Sequence, residues 1–374
     1  MPRDMQQDAV RIATQALEKF QRGKDIAFYI QDKFREKYNP FWQCIVGTNF
    51  DLYVHYRIRC HIDFQLGHMR ILLFKALGSA KAISAGSSTE ISVGGYGLSF
   101  HDEYCELCGV RGAAASGSVQ GGTAQIVGGT AATPLEFPWQ ISLRVIRLPN
   151  TDLRHICGGS IINKQYVDTA AHCILEESPS NYIVVIGDQN LNVVDPYEQR
   201  IAVANITIHS QWNPSTLNYD YALLKLARPL NFTGSEKALM PICLPTPNQE
   251  FDGMTCTASG WGLTKDRTQG GNISQSLQKV DLPIVAYGAC RSYYRLSNIV
   301  VQNTMICAGP EFGGKGTCQG DSGGPLQCAR SDGRYVLAGS VSWGSKCAAR
   351  RQPSVLARIS TQVAWISSIA GPTP

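Results

Sequence analysis

Residues 320–325 read Gly-Asp-Ser-Gly-Gly-Pro, a glycine-rich turn with a serine near its centre. Far upstream, residues 169–173 read Thr-Ala-Ala-His-Cys and residues 218–222 read Asn-Tyr-Asp-Tyr-Ala. A serine hydroxyl is a weak nucleophile until a nearby base takes its proton, and a carboxylate fixes the tautomer of an imidazole that serves as this base. The three motifs together predict a nucleophilic triad: His172, Asp220 and Ser322.

The glycines around the serine have a second role in this prediction. They leave the backbone N–H groups of Gly320 and Ser322 free to point at a developing oxyanion, and each such donor contributes about 3 kcal/mol. From Ile126 to Pro374 the sequence consists of short β-like runs separated by Gly and Pro. This pattern predicts an all-β domain that is long enough for two packed barrels.

This part of the chain resembles the trypsin/chymotrypsin family of serine proteases from Ile126 to about Ala370. Residues 126–140, IVGGTAATPLEFPWQ, match the start of the mature enzymes. The resemblance implies a double β-barrel and a serine endopeptidase that works through an acyl-enzyme, with the triad given above. It also implies polypeptide substrates and protein protease inhibitors as partners, and it requires no cofactor.

The resemblance further implies five disulfides among the 13 cysteines of the chain. The implied pairs are Cys157–Cys173, Cys108–Cys243, Cys256–Cys328, Cys290–Cys307 and Cys318–Cys347. Cys44, Cys60 and Cys105 are left over. Cys105-x-x-Cys108 is a single pair without a second half, so we do not expect a zinc site there.

In the resembling family, cleavage before the matching isoleucine creates an ammonium that pairs with the aspartate beside the nucleophile. Here this activation pair is Ile126 and Asp321, and His155 and Ser142 match the positions that hold the aspartate before cleavage. The bond to be cut follows Gln125, where Arg or Lys is usual. We therefore expect the uncut chain to be an inactive precursor, and Gln125 does not predict activation by a trypsin-like cut.

The primary substrate pocket follows from the same resemblance. Six residues match its lining: Gly316, Thr317, Ser342, Trp343, Gly344 and Ser354. Gly316 stands where trypsins carry an acid, so we expect no fixed charge and a preference for Leu, Met, Phe or Tyr, narrowed by Ser354. We expect residues 342–344 to pair with the substrate backbone as an added strand.

A calcium loop is a further expectation from the family spacing. Its matching residues are Asp188, Asn190, Val193 and Glu198, which offer the carboxylate and carbonyl oxygens that a hard cation prefers. An exposed acidic turn without a metal is the competing interpretation of the same residues.

The first 75 residues have a different pattern. Apolar residues spaced as one helical face predict a helix from Met5 to Phe20, and a second helix ends at Tyr38, before Pro40. Four β-like runs follow, at residues 41–46, 52–58, 61–66 and 70–74. The expected architecture is a small α+β module.

This module resembles the small cytoplasmic dynein light chain family from Arg3 to Lys75, through DMQQDAVRIATQALEKF, KYNPFWQCIVGTNF and LGHMRILLFK. The resemblance implies a microtubule-associated motor-protein module that binds dynein intermediate chain-type peptides and forms a dimer with itself. Residues 53–61 differ from the family pattern, and they match the strand that exchanges between protomers and borders the peptide groove.

We therefore divide the multidomain chain into a light chain-like module at residues 1–77, a linker and activation segment rich in Gly and Ser at 78–125, and a protease domain at 126–374. The net charge of +5 is no nucleic-acid footprint. The sequence contains no run of about 18 apolar residues, so we expect no membrane span.

The cysteines and the start of the chain point to different compartments. Eleven cysteines lie between Cys105 and Cys347, and three sequons, at Asn205, Asn231 and Asn272, fit a secreted, extracellular glycoprotein. The start, MPRDMQQDAV, has no apolar segment typical of a secretory signal. Two alternatives to a secreted protease therefore stay open: a motor-complex binding module with a dormant protease half, and two separate proteins merged in one gene model.

Overall fold

The computed structural model describes residues 3–38, 42–48, 56–76, 108–112, 127–147, 152–371 and 373. The chain divides into two compact units, residues 1–106 and residues 107–374. Most of the predicted linker at 78–125 lies outside the described residues, and its residues 108–112 belong to the second unit. Among the described residues, no helix is both long and apolar enough to cross a bilayer.

The first unit is an α+β module. Two helices, α1 (Arg3–Lys19) and α2 (Gly23–Tyr38), precede three antiparallel strands, β1 (Trp42–Gly47), β2 (Tyr56–Leu66) and β3 (Met69–Ala76). The sheet order is β1-β3-β2. Its core is formed by one apolar face of each helix and by the inward side chains of the sheet, including Ala13, Ile30, Phe34, Trp42 and Ile71.

One detail of the predicted module is wrong. The runs at 52–58 and 61–66 are not two strands, because β2 is a single strand that continues through Cys60. Its regular pairing with β3 extends from His61 to Leu66. The pairing of β2 with β3 is irregular between Tyr56 and His61, where the sequence predicts a break between two strands. Residues 51–55 lie outside the described part.

The second unit contains a closed six-stranded barrel. Its strands are β5 (Gln140–Arg147), β6 (Asp152–Ile161), β7 (Tyr166–Thr169), β8 (Tyr182–Ile186), β9 (Gln199–Ile208) and β10 (Ala222–Leu226). They pair in the order β10-β7-β6-β5-β8-β9.

A second barrel follows, closed by the pairing of its first two strands, β11 and β12. Its strands are β11 (Thr255–Gly260), β12 (Gln278–Val285), β13 (Met305–Ala308), β14 (Pro325–Ala329), β15 (Tyr335–Trp343) and β16 (Ser354–Arg358). The short β4 (Thr130–Ala131) pairs with β12, while α3 (Tyr287–Tyr294) and α4 (Val363–Ala370) flank the barrels. The predicted double β-barrel is confirmed.

Buried polar contacts join the two barrels. The indole N–H of Trp139 donates to Oε1 of Gln327 at 2.7 Å, and the hydroxyl of Ser259 donates to Oε1 of Gln140 at 2.7 Å. Each of these four buried side chains has its hydrogen-bond partner in the other barrel, so the two bonds fix how the barrels pack together. The active-site residues described below are drawn from both barrels.

Five disulfides stabilise this unit, and they are the five pairs that the resemblance implies: Cys108–Cys243, Cys157–Cys173, Cys256–Cys328, Cys290–Cys307 and Cys318–Cys347. Of the leftover cysteines, Cys44 is a buried free thiol, and burial raises its pKa. The side chains of Cys60 and Cys105 lie outside the described part.

The segment at residues 108–112 is held within the second unit by more than its disulfide. The N–H of Gly109 donates to the carbonyl of Pro241 at 2.8 Å, and the N–H of Tyr335 donates to the carbonyl of Gly109 at 2.7 Å. Gly109 has a φ of +67°, and a Cβ there would lie 2.1 Å from the carbonyl oxygen of Tyr335. Only glycine permits this close approach.

Candidate active site

The first barrel supplies the histidine. Strand β7 ends at Thr169, and a single 3-10 turn at Ala171–Cys173 carries His172 beside the buried disulfide sulfur of Cys173. The His172 side chain keeps 25% of its surface exposed, so the ring is anchored at one end and accessible at the other.

Asp220 stands on the loop that enters β10 and is 1% exposed. Its carboxylate accepts the backbone N–H of His172 at 2.9 Å and lies 2.7 Å from the imidazole Nδ1. The hydroxyl of Ser342 donates a third hydrogen bond to it. A carboxylate held in this way fixes the ring with Nε2 as the free acceptor, as the predicted base requires.

The Ser322 turn is held between the two barrels. The N–H of Gly158 donates to the carbonyl of Ser322 at 2.7 Å, and the N–H of Gly323 donates to the carbonyl of Val341 at 2.7 Å. Ser322 and His172 line one cleft of about 670 Å³. In the residues that the structure describes, no hydrogen bond joins the two side chains, a contact that often tightens only when substrate binds.

Two backbone donors face the same place. In the described part of the chain, neither the N–H of Gly320 nor that of Ser322 donates to a protein acceptor. Gly320 has a φ of +98°, and a Cβ there would meet Ile273 at 2.6 Å, so the glycine is required. Two free N–H groups beside a nucleophile are suited to bind an oxyanion.

The side chain of His155 contacts the backbone of Gly320, one of the two residues with these N–H groups. Its Nε2 lies 3.0 Å from the carbonyl of Gly320, and its Nδ1 lies 2.8 Å from the hydroxyl of Ser142. Burial lowers the pKa of His155 to about 4, so the ring is neutral, donating from Nε2 and accepting at Nδ1. The structure thus brings His155 and Ser142 together, and His155 contacts the carbonyl of Gly320 instead of the carboxylate of Asp321.

Asp321 is fully buried beside the nucleophile. It accepts the N–H groups of Gly262 and Cys318 at 2.8 and 2.9 Å, and burial raises its pKa to about 6. Among the described residues, no cation pairs with it. Its predicted partner Ile126 lies outside the described residues, and the next residue, Val127, bridges to Gly316.

A second cavity, of about 210 Å³, opens beside Ser322. Five of the six predicted pocket residues line it: Thr317, Ser342, Trp343, Gly344 and Ser354. Gly316 is not among the residues that line it. Its N–H donates to the carbonyl of Val127, and it packs against the backbone of Ala348.

The character of the pocket wall is set by hydroxyls. Thr317 donates from its hydroxyl to Oγ of Ser354 at 2.7 Å, which fixes Ser354 in the pocket. No acid is among the residues that line the cavity, whereas the exposed Lys346 does line it. The expectation of no fixed charge is therefore wrong at the rim, where sequence reasoning missed this lysine.

The predicted calcium loop contains a cluster of carboxylates. Oxygens of Asp188, Asp195 and Glu198 lie within 4.8 Å of one another, and Oδ1 of Asp188 is buried without a hydrogen-bond partner. Arg144 pairs with the other Asp188 oxygen at 2.5 Å. Sequence reasoning missed Asp195, which accepts the N–H groups of Gln189 and Asn190.

Of the remaining loop residues predicted as ligands, the carbonyl of Asn190 accepts the N–H of Val193 at 3.1 Å. The oxygen-rich donor set with one orphaned carboxylate oxygen fits a hard divalent cation. The positive charge of Arg144 offsets part of the attraction between these carboxylates and a cation.

Comparisons with known proteins agree with this geometry. The family model named Trypsin matches residues 126–366, and the model named Dynein light chain type 1 matches residues 1–76. Serine proteinase stubble of Drosophila melanogaster is 38% identical over 247 residues, which cover 65% of this chain and 30% of that protein.

Ovochymase-2 of Mus musculus is 39% identical over 227 residues, which cover 60% of this chain and 35% of that protein. The chain thus spans about a third of the length of these relatives. Because the Trypsin model covers more than half of the chain, this protein belongs to the trypsin family, and it carries an amino-terminal dynein light chain-like module.

Proposed function

We propose that this protein is a serine endopeptidase. The observation that carries the proposal is the cleft that His172, held by Asp220, lines together with Ser322. Beside Ser322 are two backbone N–H groups that donate to no acceptor among the described residues. His172 takes the proton of Ser322 as the hydroxyl attacks a peptide carbonyl, and the oxyanion forms at the N–H groups of Gly320 and Ser322. The peptide C–N bond breaks, and His172 gives its proton to the leaving amine.

The second half of the reaction restores the enzyme. Water enters the cleft, His172 takes one of its protons, and the resulting hydroxide attacks the ester on Ser322. The ester bond to Ser322 breaks and the serine oxygen regains a proton from His172, releasing the carboxyl product. No redox or metal chemistry is needed for this balance.

The preferred residue before the cut bond is apolar. The pocket of about 210 Å³ has no acidic lining residue, and Lys346 at its rim repels Arg and Lys. The paired hydroxyls of Thr317 and Ser354 limit its depth. We propose Leu, Met, Phe and Tyr as the accepted side chains, with modest discrimination among them.

The proposed activation starts from Asp321, for which the described residues supply no cationic partner. A buried carboxylate without a cation is unfavourable, and a new ammonium at Ile126 would relieve this. We propose that cleavage after Gln125 supplies that ammonium and so stabilises the turn that carries Gly320 and Ser322. The amino-terminal portion then stays attached through Cys108–Cys243 and the strand-like contacts of Gly109.

The compartment is also a proposal. Five disulfides need an oxidising environment, and the three sequon asparagines, Asn205, Asn231 and Asn272, are exposed. These features favour an extracellular, glycosylated protease half that meets polypeptide substrates and protein protease inhibitors.

The amino-terminal module favours a second activity. In the described sheet, β2 pairs with β3 alone, which leaves its other edge open to an added strand. We propose that residues 1–76 bind peptides of the dynein intermediate chain type or a second copy of the module. In the alternative function, the chain acts as a binding module of the motor complex and its protease half is dormant.

Calcium has a structural part in the proposal. We propose that one calcium ion binds the loop that contains Asp188, Asp195 and Glu198, weakly because Arg144 already neutralises some of the charge. Calcium at millimolar concentration should raise the melting temperature of the full chain, and the same melt after Asp195→Asn should not respond. An equal response of both proteins would exclude this loop.

The endopeptidase proposal is tested with a cleavable chain, in which Asp-Asp-Asp-Asp-Lys replaces residues 121–125 so that enteropeptidase frees Ile126. The cut chain should hydrolyse peptides after Leu or Phe, whereas the uncut chain and a cut Ser322→Ala variant should not. Serine replacement typically lowers kcat by about 10⁶-fold. Equal hydrolysis by the Ser322→Ala variant would refute the proposal.

A further inference from the structure

A second carboxyl group, that of Asp168, is buried next to the triad and has no part in the mechanism above. Asp168 is 0% exposed on β7, four residues before His172. Its backbone pairs with Leu223 of the neighbouring strand β10, three residues after Asp220. The two strands that present the base and its carboxylate are thus hydrogen-bonded to each other at Asp168.

The two carboxyl groups are held in the same way by one strand. The hydroxyl of Ser340 donates to Asp168, and that of Ser342, two residues along β15, donates to Asp220. Both serines are buried. Since a hydroxyl can donate to a carboxylate or accept from a carboxylic acid, the Ser340 contact is compatible with either state of Asp168.

Asp168 is not fully satisfied in this place. Its Oδ1 is buried without a hydrogen-bond partner, and so is the hydroxyl of Ser160, the residue opposite it on β6. A buried carboxylate with one free oxygen is destabilised relative to the acid. Burial and the charge of Asp220 raise the pKa of Asp168 to about 7, although the Ser340 hydrogen bond opposes the shift.

The surroundings leave few other charges to act on this group. From β10 and the loop before it come Asp220 and Tyr221, whose pKa is also raised by burial and by Asp168. From β6 and β15 the facing side chains are the neutral Ser160 and Ser340. Among the described groups, Asp220 is therefore the partner through which Asp168 can influence the base.

We propose that Asp168 is a positioning residue of the triad, a second buried carboxyl that acts through Asp220 on the protonation of His172. The inference rests on the proposed endopeptidase function. When Asp168 ionises, its negative charge favours the protonated imidazole and so delays the appearance of the free base as pH rises. The enzyme becomes active at a higher pH than the triad alone would set.

The test compares pH profiles of kcat/KM for the cut, cleavable chain with and without Asp168→Asn, which keeps the shape and removes the charge. We expect the acidic limb to move to lower pH by about half a unit to one unit. Ser340→Ala, which destabilises the ionised form of Asp168, should move the limb in the same direction by less.

A matched control is Thr169→Val, which removes a buried hydroxyl that donates to the carbonyl of Gly158 at 2.8 Å but changes no charge. It is expected to alter kcat without moving the limb. Coincident limbs for the parent and Asp168→Asn would overturn the inference, as would an equal displacement by Thr169→Val.

Failure of the two proposals can be told apart. If the cut parent hydrolyses no peptide, the endopeptidase function fails. The inference is then tested by NMR titration of the ¹⁵N-labelled His172 ring in the parent and in Asp168→Asn, which needs no substrate. A midpoint that moves to lower pH in the variant supports the inference, and identical midpoints overturn it.

Discussion

The Asp220 carboxylate accepts the backbone N–H of His172 at 2.9 Å and lies 2.7 Å from Nδ1 of the same residue. One side chain therefore fixes both the position and the tautomer of the base. Asp220→Asn keeps the shape but offers an amide that can stabilise the wrong tautomer. In the cut chain we expect kcat to fall by about 10⁴-fold with KM nearly unchanged.

Steady-state kinetics on a peptide ending in Leu or Phe before the cut bond check this prediction. The melting temperature of Asp220→Asn serves as the control for folding. A loss of less than about tenfold in a folded variant would mean that Asp220 does not orient the base.

A second prediction concerns the new amino terminus. Ile126→Gly leaves the ammonium but removes the side chain that anchors it. Asp321 should then lose its ion pair, and the turn that carries Gly320 and Ser322 should no longer be stabilised by that pair. The processed variant should be nearly inactive, with a loss of at least about 100-fold in kcat/KM. Amino-terminal sequencing confirms that cleavage is complete in both proteins, and full activity of the variant would exclude this activation mechanism.

Pocket depth is the subject of a third prediction. Ser354→Gly removes the hydroxyl that accepts from Thr317 and deepens the cavity. The ratio of kcat/KM for Phe over Leu substrates should rise by about tenfold, the range that small changes in an apolar pocket produce. The parent should cleave Arg substrates more slowly than either, and faster cleavage after Arg would contradict the proposed specificity.

A fourth prediction concerns the link between the halves after cleavage. Since Cys108 is bonded to Cys243, the portion before Ile126 should remain with the protease on a non-reducing gel and separate on a reducing gel. The Cys108→Ser, Cys243→Ser double variant provides the control and should separate without reductant. Separation of the parent without reductant would show that this disulfide does not form.

Much of this arrangement is predictable from the sequence, because short motifs encode it. The His172, Asp220 and Ser322 motifs each place one side chain on a tight local structure, and the two helices of the module follow from apolar spacing. The continuity of β2 is not predictable from the local pattern, because the strand runs through the segment before His61, where its pairing with β3 is irregular.

The pocket and the second carboxyl required the structure. The residues that line the pocket include Lys346, which no motif points to, and do not include Gly316, which packs against the backbone of Ala348. The lining depends on how these loops pack, which no local motif records. Asp168 lies on β7, and its burial depends on contacts with β10 and β15, which are far away in the sequence.

The central claim is that His172 activates Ser322, and a fluorophosphonate probe measures this activation directly. After reaction with the cut chain, mass spectrometry should find one adduct, on Ser322, while the cut His172→Ala variant should show none in the same time. The uncut chain should react far more slowly than the cut chain. Absence of an adduct on Ser322, or equal labelling of the His172→Ala variant, would contradict the account.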